Sequence, residues 1–168
     1  MTTMLKSFLT LFIVASLGTI CAEAKTMKVP SDEFAIASID IPDSWDPEEI
    51  TNGAAGTSDD EAVYLAVVAV GNEKGMDAEI NDTFAMLKEH NVELDQASKK
   101  TNKFKINDLD AEEMLFQGKD EDGPAAVSIT FVPIKDKVIV LTYWVSTADE
   151  KKHQEEVTKI LKSLKPAS

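Results

Sequence analysis

The chain has 168 residues, of which 17 are basic, all of them lysine, and 30 are acidic, so that its formal net charge is −13. Because arginine is the usual ligand for phosphate and carboxylate groups, this composition argues against binding to nucleic acid, to an anionic membrane or to a phosphorylated substrate. The acidity is typical of a soluble monomer, and an acidic patch for a cation or a basic partner is the alternative interpretation.

Residues 1–24 are predicted to be a secretory signal peptide that is cleaved from the mature protein. Lys6 precedes an uncharged apolar run, residues 7–20, and Ala22-Glu23-Ala24 has the small-x-small pattern of a cleavage site. The run is shorter than the about 20 residues that a membrane-spanning helix needs. We therefore expect a periplasmic or secreted protein with no stable membrane anchor after cleavage.

The single cysteine, Cys21, lies inside this signal peptide. Cleavage after Ala24 leaves residues 25–168 as one domain without a disulfide, a thiol nucleophile or a thiolate metal site. Lipoprotein processing at Cys21 is a competing interpretation, although Ile20 is larger than the residue usual before a lipidated cysteine. The first mature residues and residues 165–168 are expected to be frayed.

Three strands are predicted in the first part of the mature chain. Residues 34–41 form a strand that stops at Pro42, and a short strand is expected near residues 48–51, followed by a loop. Residues 62–70, AVYLAVVAV, are apolar in both alternating phases, which indicates a central strand covered on both faces.

A helix is predicted from an N-cap at Asp77 through His90, with Asn91 ending it. Its apolar stripe recurs at helical spacing, at Ile80, Phe84 and Leu87.

Four strands joined by short turns follow, over residues 103–106, 111–118, 125–134 and 138–145. The last strand, VIVLTYWV, is again apolar on both faces and is predicted to be central.

A second helix is predicted over residues 148–164, with Thr147 and Glu150 as its capping box. Its buried stripe is predicted at Val157, Ile160, Leu161 and Leu164.

Strands joined by short turns must be antiparallel, and two strands that are apolar on both faces need cover on both sides of the sheet. The two helices supply that cover. The sequence thus predicts an α+β fold, an α/β/α sandwich around a central, mainly antiparallel sheet of about six strands.

Two segments carry a family resemblance. IDIPDSW, residues 39–45, resembles the strand-Pro-x-x-Trp opening of PsbP-like domains, and residues 138–165, ending in KILKSLK, are similar to their closing strand and helix. The resemblance covers nearly the whole mature chain. It implies the fold shared by PsbP, the Ran-binding Mog-type proteins and the periplasmic DcrB group, and an accessory or binding role in which no catalytic residue carries over.

No catalytic, cofactor-binding or metal-binding residue and no cofactor is predicted. His90 is interpreted as a residue that suits a helix C-terminus, and His153 as the edge of a buried stripe. A zinc site would need both histidines together with carboxylates. The sequence contains no G-x-S-x-G, P-loop or dinucleotide-binding motif.

Acidic residues cluster at residues 59–61, 108–113 and 120–123. We interpret these clusters as solvated turns, with weak calcium binding as the alternative, because the spacing of a calcium loop is missing. Trp144 and Tyr143 are predicted to point to opposite faces of the sheet, both into the core. Trp45 is interpreted as a lid on the core or as the wall of a surface groove.

These observations predict an exported, non-enzymatic accessory or binding protein of the cell envelope, whose partner is another protein or an envelope component. A small-ligand or calcium-binding protein is the alternative, and a hydrolase without a recognisable motif is the third.

Overall fold

The computed structural model describes residues 23–71 and 73–167, so the predicted signal peptide lies outside the described residues except for Glu23 and Ala24. The described residues form ten strands and two α-helices, with a 3-10 turn at Asp43–Trp45. In chain order they are β1 (Ala24–Val29), β2 (Ala37–Pro42), β3 (Glu48–Ile50), β4 (Gly53–Thr57), β5 (Val63–Val70), α1 (Glu73–Glu89), β6 (Glu93–Ile106), β7 (Leu109–Asp120), β8 (Gly123–Ile134), β9 (Lys137–Ser146), α2 (Glu150–Ser163) and β10 (Lys165–Pro166).

The main sheet has seven antiparallel strands in the order β3-β4-β5-β9-β8-β7-β6, and a smaller sheet has the order β1-β2-β10. β5 and β9 pair along their whole apolar length, from Val63 opposite Val145 to Val70 opposite Val138. The prediction that these two strands are central is therefore confirmed, because only an inner strand buries both of its faces.

Each face of the main sheet has its own apolar core. One core lies under α1 and includes Leu87, Phe116 and Ile129, with Ile80 and Phe84 packed against it. The core on the opposite face includes residues of the smaller sheet and of α2. The predicted α+β sandwich is thus confirmed, although the layer on the α2 side is shared with a small sheet that the sequence did not predict.

The described residues at both ends of the predicted domain are ordered, contrary to the prediction that they are frayed, whereas Ser168 lies outside the described residues. β1 pairs with β2 and buries Met27 and Val29. At the other end β10 pairs with β2, and the N–H of Ala167 donates to the carbonyl of Ile36 at 2.9 Å. The two termini are ordered because β2 pairs with both, which no local pattern reveals.

A strand, β4, replaces the loop that was predicted after residue 51. Apart from Thr57, its sequence, GAAGT, lacks the β-branched and aromatic side chains that favour strands. Small residues are required there, because a Cβ on Gly53 would lie 1.9 Å from the carbonyl oxygen of Val67 on β5. The close approach of two backbones therefore selects glycine over good strand formers.

Both helix starts differ from the prediction. α1 begins at Glu73, before the predicted N-cap Asp77, and α2 begins at Glu150 without the predicted capping box. The residue before α2, Asp149, makes no capping bond with its side chain, and its N–H donates to the carbonyl of Ser146. A backbone turn after β9 thus leads into α2. The predicted end of α1 is confirmed, since Asn91 adopts a left-handed φ of 58°.

Candidate binding cleft

α1 is too narrow to cover its face of the main sheet. A helix with its side chains is about 10–12 Å across, whereas neighbouring strands lie about 4.8 Å apart, so one helix covers two or three of the seven strands. α1 packs mainly against β5 and β9, and its Phe84 also contacts Phe116 of β7. On the side of β6 and β7 the uncovered surface forms a cleft of about 620 Å³, which we call the α1–β6 cleft.

Apolar residues from five elements line the floor of the α1–β6 cleft. They are Met76 and Ile80 of α1, Phe104 of β6, Ala111 and Met114 of β7, Phe131 and Pro133 of β8, and Val138 of β9. Small-molecule sites in proteins typically have volumes of about 300–1,000 Å³ and mainly apolar walls with a few polar groups. The α1–β6 cleft has both the size and the surface of such a site.

Charged side chains of β6 and β7 form the outer rim of the cleft. Lys103 Nζ lies 3.2 Å from Glu112 Oε2, and Lys105 Nζ lies 2.7 Å from Asp110 Oδ1. The hydrogen bond from Lys105 lowers the pKa of Asp110. Both carboxylates of the rim are thus paired, whereas Lys99 lines the cleft without an ion pair among the described residues.

Lys99 reaches the rim through an irregularity in β6. Asp95 is opposite Gln117, but Lys100 is already opposite Leu115, so residues 96–99 bulge out of the ladder. The Ser98 hydroxyl donates to the carbonyl of Asp95 at 2.6 Å and accepts from the N–H of Gln117 at 2.8 Å. These bonds hold the bulge that ends at Lys99.

Sequence reasoning missed the α1–β6 cleft. β6 was predicted to begin at residue 103 and α1 at Asp77, so Lys99, Thr101 and Met76 were outside the predicted elements. Residues 99–102, KKTN, are polar and exposed, as expected for an edge strand, and therefore lack the apolar alternation that identifies an inner strand. A cleft between packed elements cannot be recognised from the hydrophobic pattern of any single segment.

The histidine predicted at the edge of the stripe of α2 is buried in a polar cluster. His153 Nε2 lies 3.0 Å from Asp60 Oδ2, and Nδ1 lies 3.3 Å from Glu156 Oε2. The ring also contacts Trp45 edge to face, with centroids 6.2 Å apart. Lys152 pairs with the same carboxylate, and this hydrogen bond, followed by that of Ser58, holds the pKa of Asp60 well below its usual range.

This cluster does not have the geometry of a hydrolase triad. The Ser58 hydroxyl donates to Asp60 Oδ1 at 2.7 Å and accepts from the N–H of Val63 at 3.0 Å, which closes the loop between β4 and β5. In the described part of the chain His153 bonds two carboxylates and no hydroxyl. A catalytic triad needs its histidine hydrogen-bonded to the nucleophile. The contact of His153 with Asp60 is therefore structural, and it joins the loop after β4 to α2.

The structure places Trp45 in the core and Trp144 closer to the surface than predicted. Trp45 is 1% exposed and is a member of the core, which decides between the lid and the groove wall. Trp144, predicted to be a core residue, is only half-buried and stacks on Tyr64 with centroids 4.6 Å apart. His90 follows the end of α1, and its ring centroid lies 5.4 Å from that of Trp144. His90 is therefore a packing residue.

In the acidic turn at residues 120–123, one carboxylate accepts hydrogen bonds from the backbone of the turn itself. Asp120 Oδ1 accepts from the N–H groups of Asp122 and Gly123, both at 3.0 Å. Across residues 23–71 and 73–167, no group of three or more histidine, cysteine or acidic side chains is placed to hold a metal ion. The turn is thus closed by its own hydrogen bonds.

Among the described residues, neither helix is long and apolar enough to cross a membrane.

No family model and no curated protein matches the sequence. Three similar solved structures are cyanobacterial PsbP (CyanoP) from Synechocystis sp. PCC 6803, a protein from Bacteroides thetaiotaomicron VPI-5482 and the Ran-binding protein Mog1p from Saccharomyces cerevisiae. CyanoP aligns over 89% of this chain and 96% of its own, with a TM-score of 0.57 and 8% identity. The Bacteroides protein aligns over 79% and 45%, with a TM-score of 0.52 and 12% identity. Mog1p aligns over 85% and 96%, with a TM-score of 0.47 and 7% identity.

At these identities the similarity concerns the fold alone. The alignment with CyanoP nevertheless spans nearly all of both chains. The chain therefore has a PsbP-like fold, as its opening and closing segments predicted.

Proposed function

We propose that the protein is an exported, non-enzymatic accessory domain that binds a component of the cell envelope in the α1–β6 cleft. The observation that carries the proposal is the cleft itself, an apolar surface on one face of the main sheet that α1 leaves uncovered. The predicted signal peptide supports the extracytoplasmic location. The similarity to PsbP supports the fold on which this cleft is built.

The chemistry of the lining supports binding over catalysis. Among the described residues that line the cleft, none is histidine, cysteine or serine, and the carboxylates Asp110 and Glu112 are paired with Lys105 and Lys103. His153, whose contact with Asp60 would favour a hydrolase, has both ring nitrogens hydrogen-bonded to carboxylates. General acid–base catalysis needs a group within reach of a substrate proton, and this histidine is buried.

Photo-crosslinking from the cleft tests the proposal. Thr101 and Asn102 are adjacent exposed residues of β6 that point to opposite faces, and only Thr101 lines the cleft. A photo-reactive phenylalanine analogue at Thr101 is expected to form adducts in cells that export the protein, whereas the same group at Asn102 is the matched control. Equal adducts at both positions, or none at Thr101, would contradict the proposal.

A further inference from the structure

The geometry points to a specific ligand class for the proposed site: a single-chain carboxylate amphiphile, with its alkyl chain on the floor of the α1–β6 cleft and its carboxylate at Lys99. This inference rests on the proposed function and adds the chemistry of the ligand.

The charge of the rim is the first argument. The chain has a net charge of −13, yet residues 99–105, KKTNKFK, contain four lysines. Two of them, Lys103 and Lys105, are neutralised by carboxylates of β7. Lys99 lines the cleft and, in the part of the chain that the structure describes, has no ion pair. Both carboxylates of the lining, Asp110 and Glu112, are thus paired, and Lys99 is the charged lining residue left to meet a ligand with one negative charge.

A single lysine suits a head group with one negative charge. Its ammonium is a point charge on a flexible stem that can lie along an apolar surface while its end stays in water. One ammonium group balances the single charge of a carboxylate, whereas a phosphate monoester carries about −1.5 to −2 at pH 7. Lysines on an edge strand also protect it from aggregation, but that role does not require Lys99 to line a cleft.

The floor of the cleft is the second argument. Met76 and Met114 line it together with Ile80 and Val138. Unbranched methionine side chains adapt to a flexible ligand, and a linear alkyl chain can lie between them. An intact anionic bilayer is a poorer occupant, because the net charge of the whole molecule repels its surface.

Calorimetric titration of the exported protein with dodecanoate, below its critical micelle concentration and at pH 8, tests the inference. We expect saturable binding at one site per chain. Decanoate should bind more weakly, by about fourfold for each methylene that is removed. Dodecyltrimethylammonium, which has the same chain length and a positive head group, should bind at least about tenfold more weakly than dodecanoate.

Two pairs of variants locate the ligand. Lys99→Gln should weaken dodecanoate binding by about tenfold, whereas Lys100→Gln, an adjacent exposed lysine that does not line the cleft, should leave it unchanged. Thr101→Trp should fill the cleft and abolish binding, whereas Asn102→Trp on the opposite face of β6 should not. Unfolding midpoints of all four variants are measured to show that each remains folded.

Several results would overturn the inference. They are the absence of saturable dodecanoate binding, equal affinity for the cationic amphiphile, or equal loss in Lys99→Gln and Lys100→Gln. Photo-adducts of Thr101 with a protein, without dodecanoate binding, would leave the proposed function standing and exclude this ligand class. If Thr101 forms no adduct and dodecanoate does not bind, both proposals fail.

Discussion

Asp60 Oδ2 lies 3.0 Å from His153 Nε2, and this contact joins the loop after β4 to the first turn of α2. The imidazole is buried, whereas the carboxyl is 29% exposed and is shared with Lys152. The pair thus fixes the position of α2 over the core around Trp45.

Asp60→Asn should lower the stability of the fold at neutral pH and make that stability less dependent on pH in the acid range. Because Lys152, Ser58 and His153 lower the pKa of Asp60 in the folded state, its contribution is present above the ordinary value of 3.8 and is lost as the pH falls below it. Urea midpoints between pH 2 and 7 measure this, with the exposed neighbour Asp59→Asn as the control. Parallel curves for the wild type and Asp60→Asn would contradict it.

Trp45→Ala should be much more destabilising than Trp144→Ala. Trp45 is 1% exposed in the core, so its truncation should cost about 3–5 kcal/mol. Trp144 is half-buried and loses mainly its stacking on Tyr64, a type of contact worth about 0.5–1.5 kcal/mol beyond the area it buries. Urea unfolding of the two variants decides the order. An equal or larger effect of Trp144→Ala would contradict the prediction, because it would show that Trp144 contributes at least as much to the core as Trp45.

Tyr143→Phe should make the fold less sensitive to alkali. Burial, reinforced by Glu113 and Glu150, raises the pKa of Tyr143 from 10.0 to about 12. The folded state therefore holds this proton where the unfolded state releases it, so the stabilisation is complete below pH 10 and is lost as the pH rises toward 12. Unfolding midpoints from pH 8 to 12 should fall less steeply in the variant. An unchanged slope would mean that other groups account for the alkaline loss.

Calcium should stabilise the protein no more than sodium chloride does at the same ionic strength. Asp120 already closes its own turn, and screening of a net charge of −13 acts with any salt. A specific site would instead add about 2.7 kcal/mol at a hundredfold excess over its dissociation constant. Melting temperatures of the wild type and of Asp120→Asn and Asp122→Asn make the comparison. A rise specific to calcium that both variants abolish would establish the calcium-binding alternative.

The predicted signal peptide implies that the mature protein begins at Lys25. Cleavage after Ala24 leaves the pairing of β1 with β2 in place from Lys25, opposite Ile41, to Val29. N-terminal sequencing measures this, and Ala22→Lys should block processing because the cleavage site needs small residues. Cys21→Ser should leave processing unchanged, and a lipid-modified Cys21 at the N-terminus would instead support the lipoprotein interpretation.

The inner strands could be predicted because their signal is local. Residues 62–70 and 138–145 are apolar in both phases, and both became central strands. The stripes of α1 and α2 were recognisable for the same reason. The beginning of β6 could not be predicted, because an exposed edge strand needs no apolar alternation, and the ends of the domain became ordered only through contacts with β2.

The sequence by itself determined the net charge, the two central strands and the apolar faces of both helices, since each depends on residues a few positions apart. Only the tertiary structure decided which tryptophan is buried, where β4 fits and which lysine lines the α1–β6 cleft. The contact between Asp60 and His153 joins residues 93 positions apart. Such contacts depend on how the layers pack, and the cleft exists because one helix is narrower than the seven-stranded sheet that it covers.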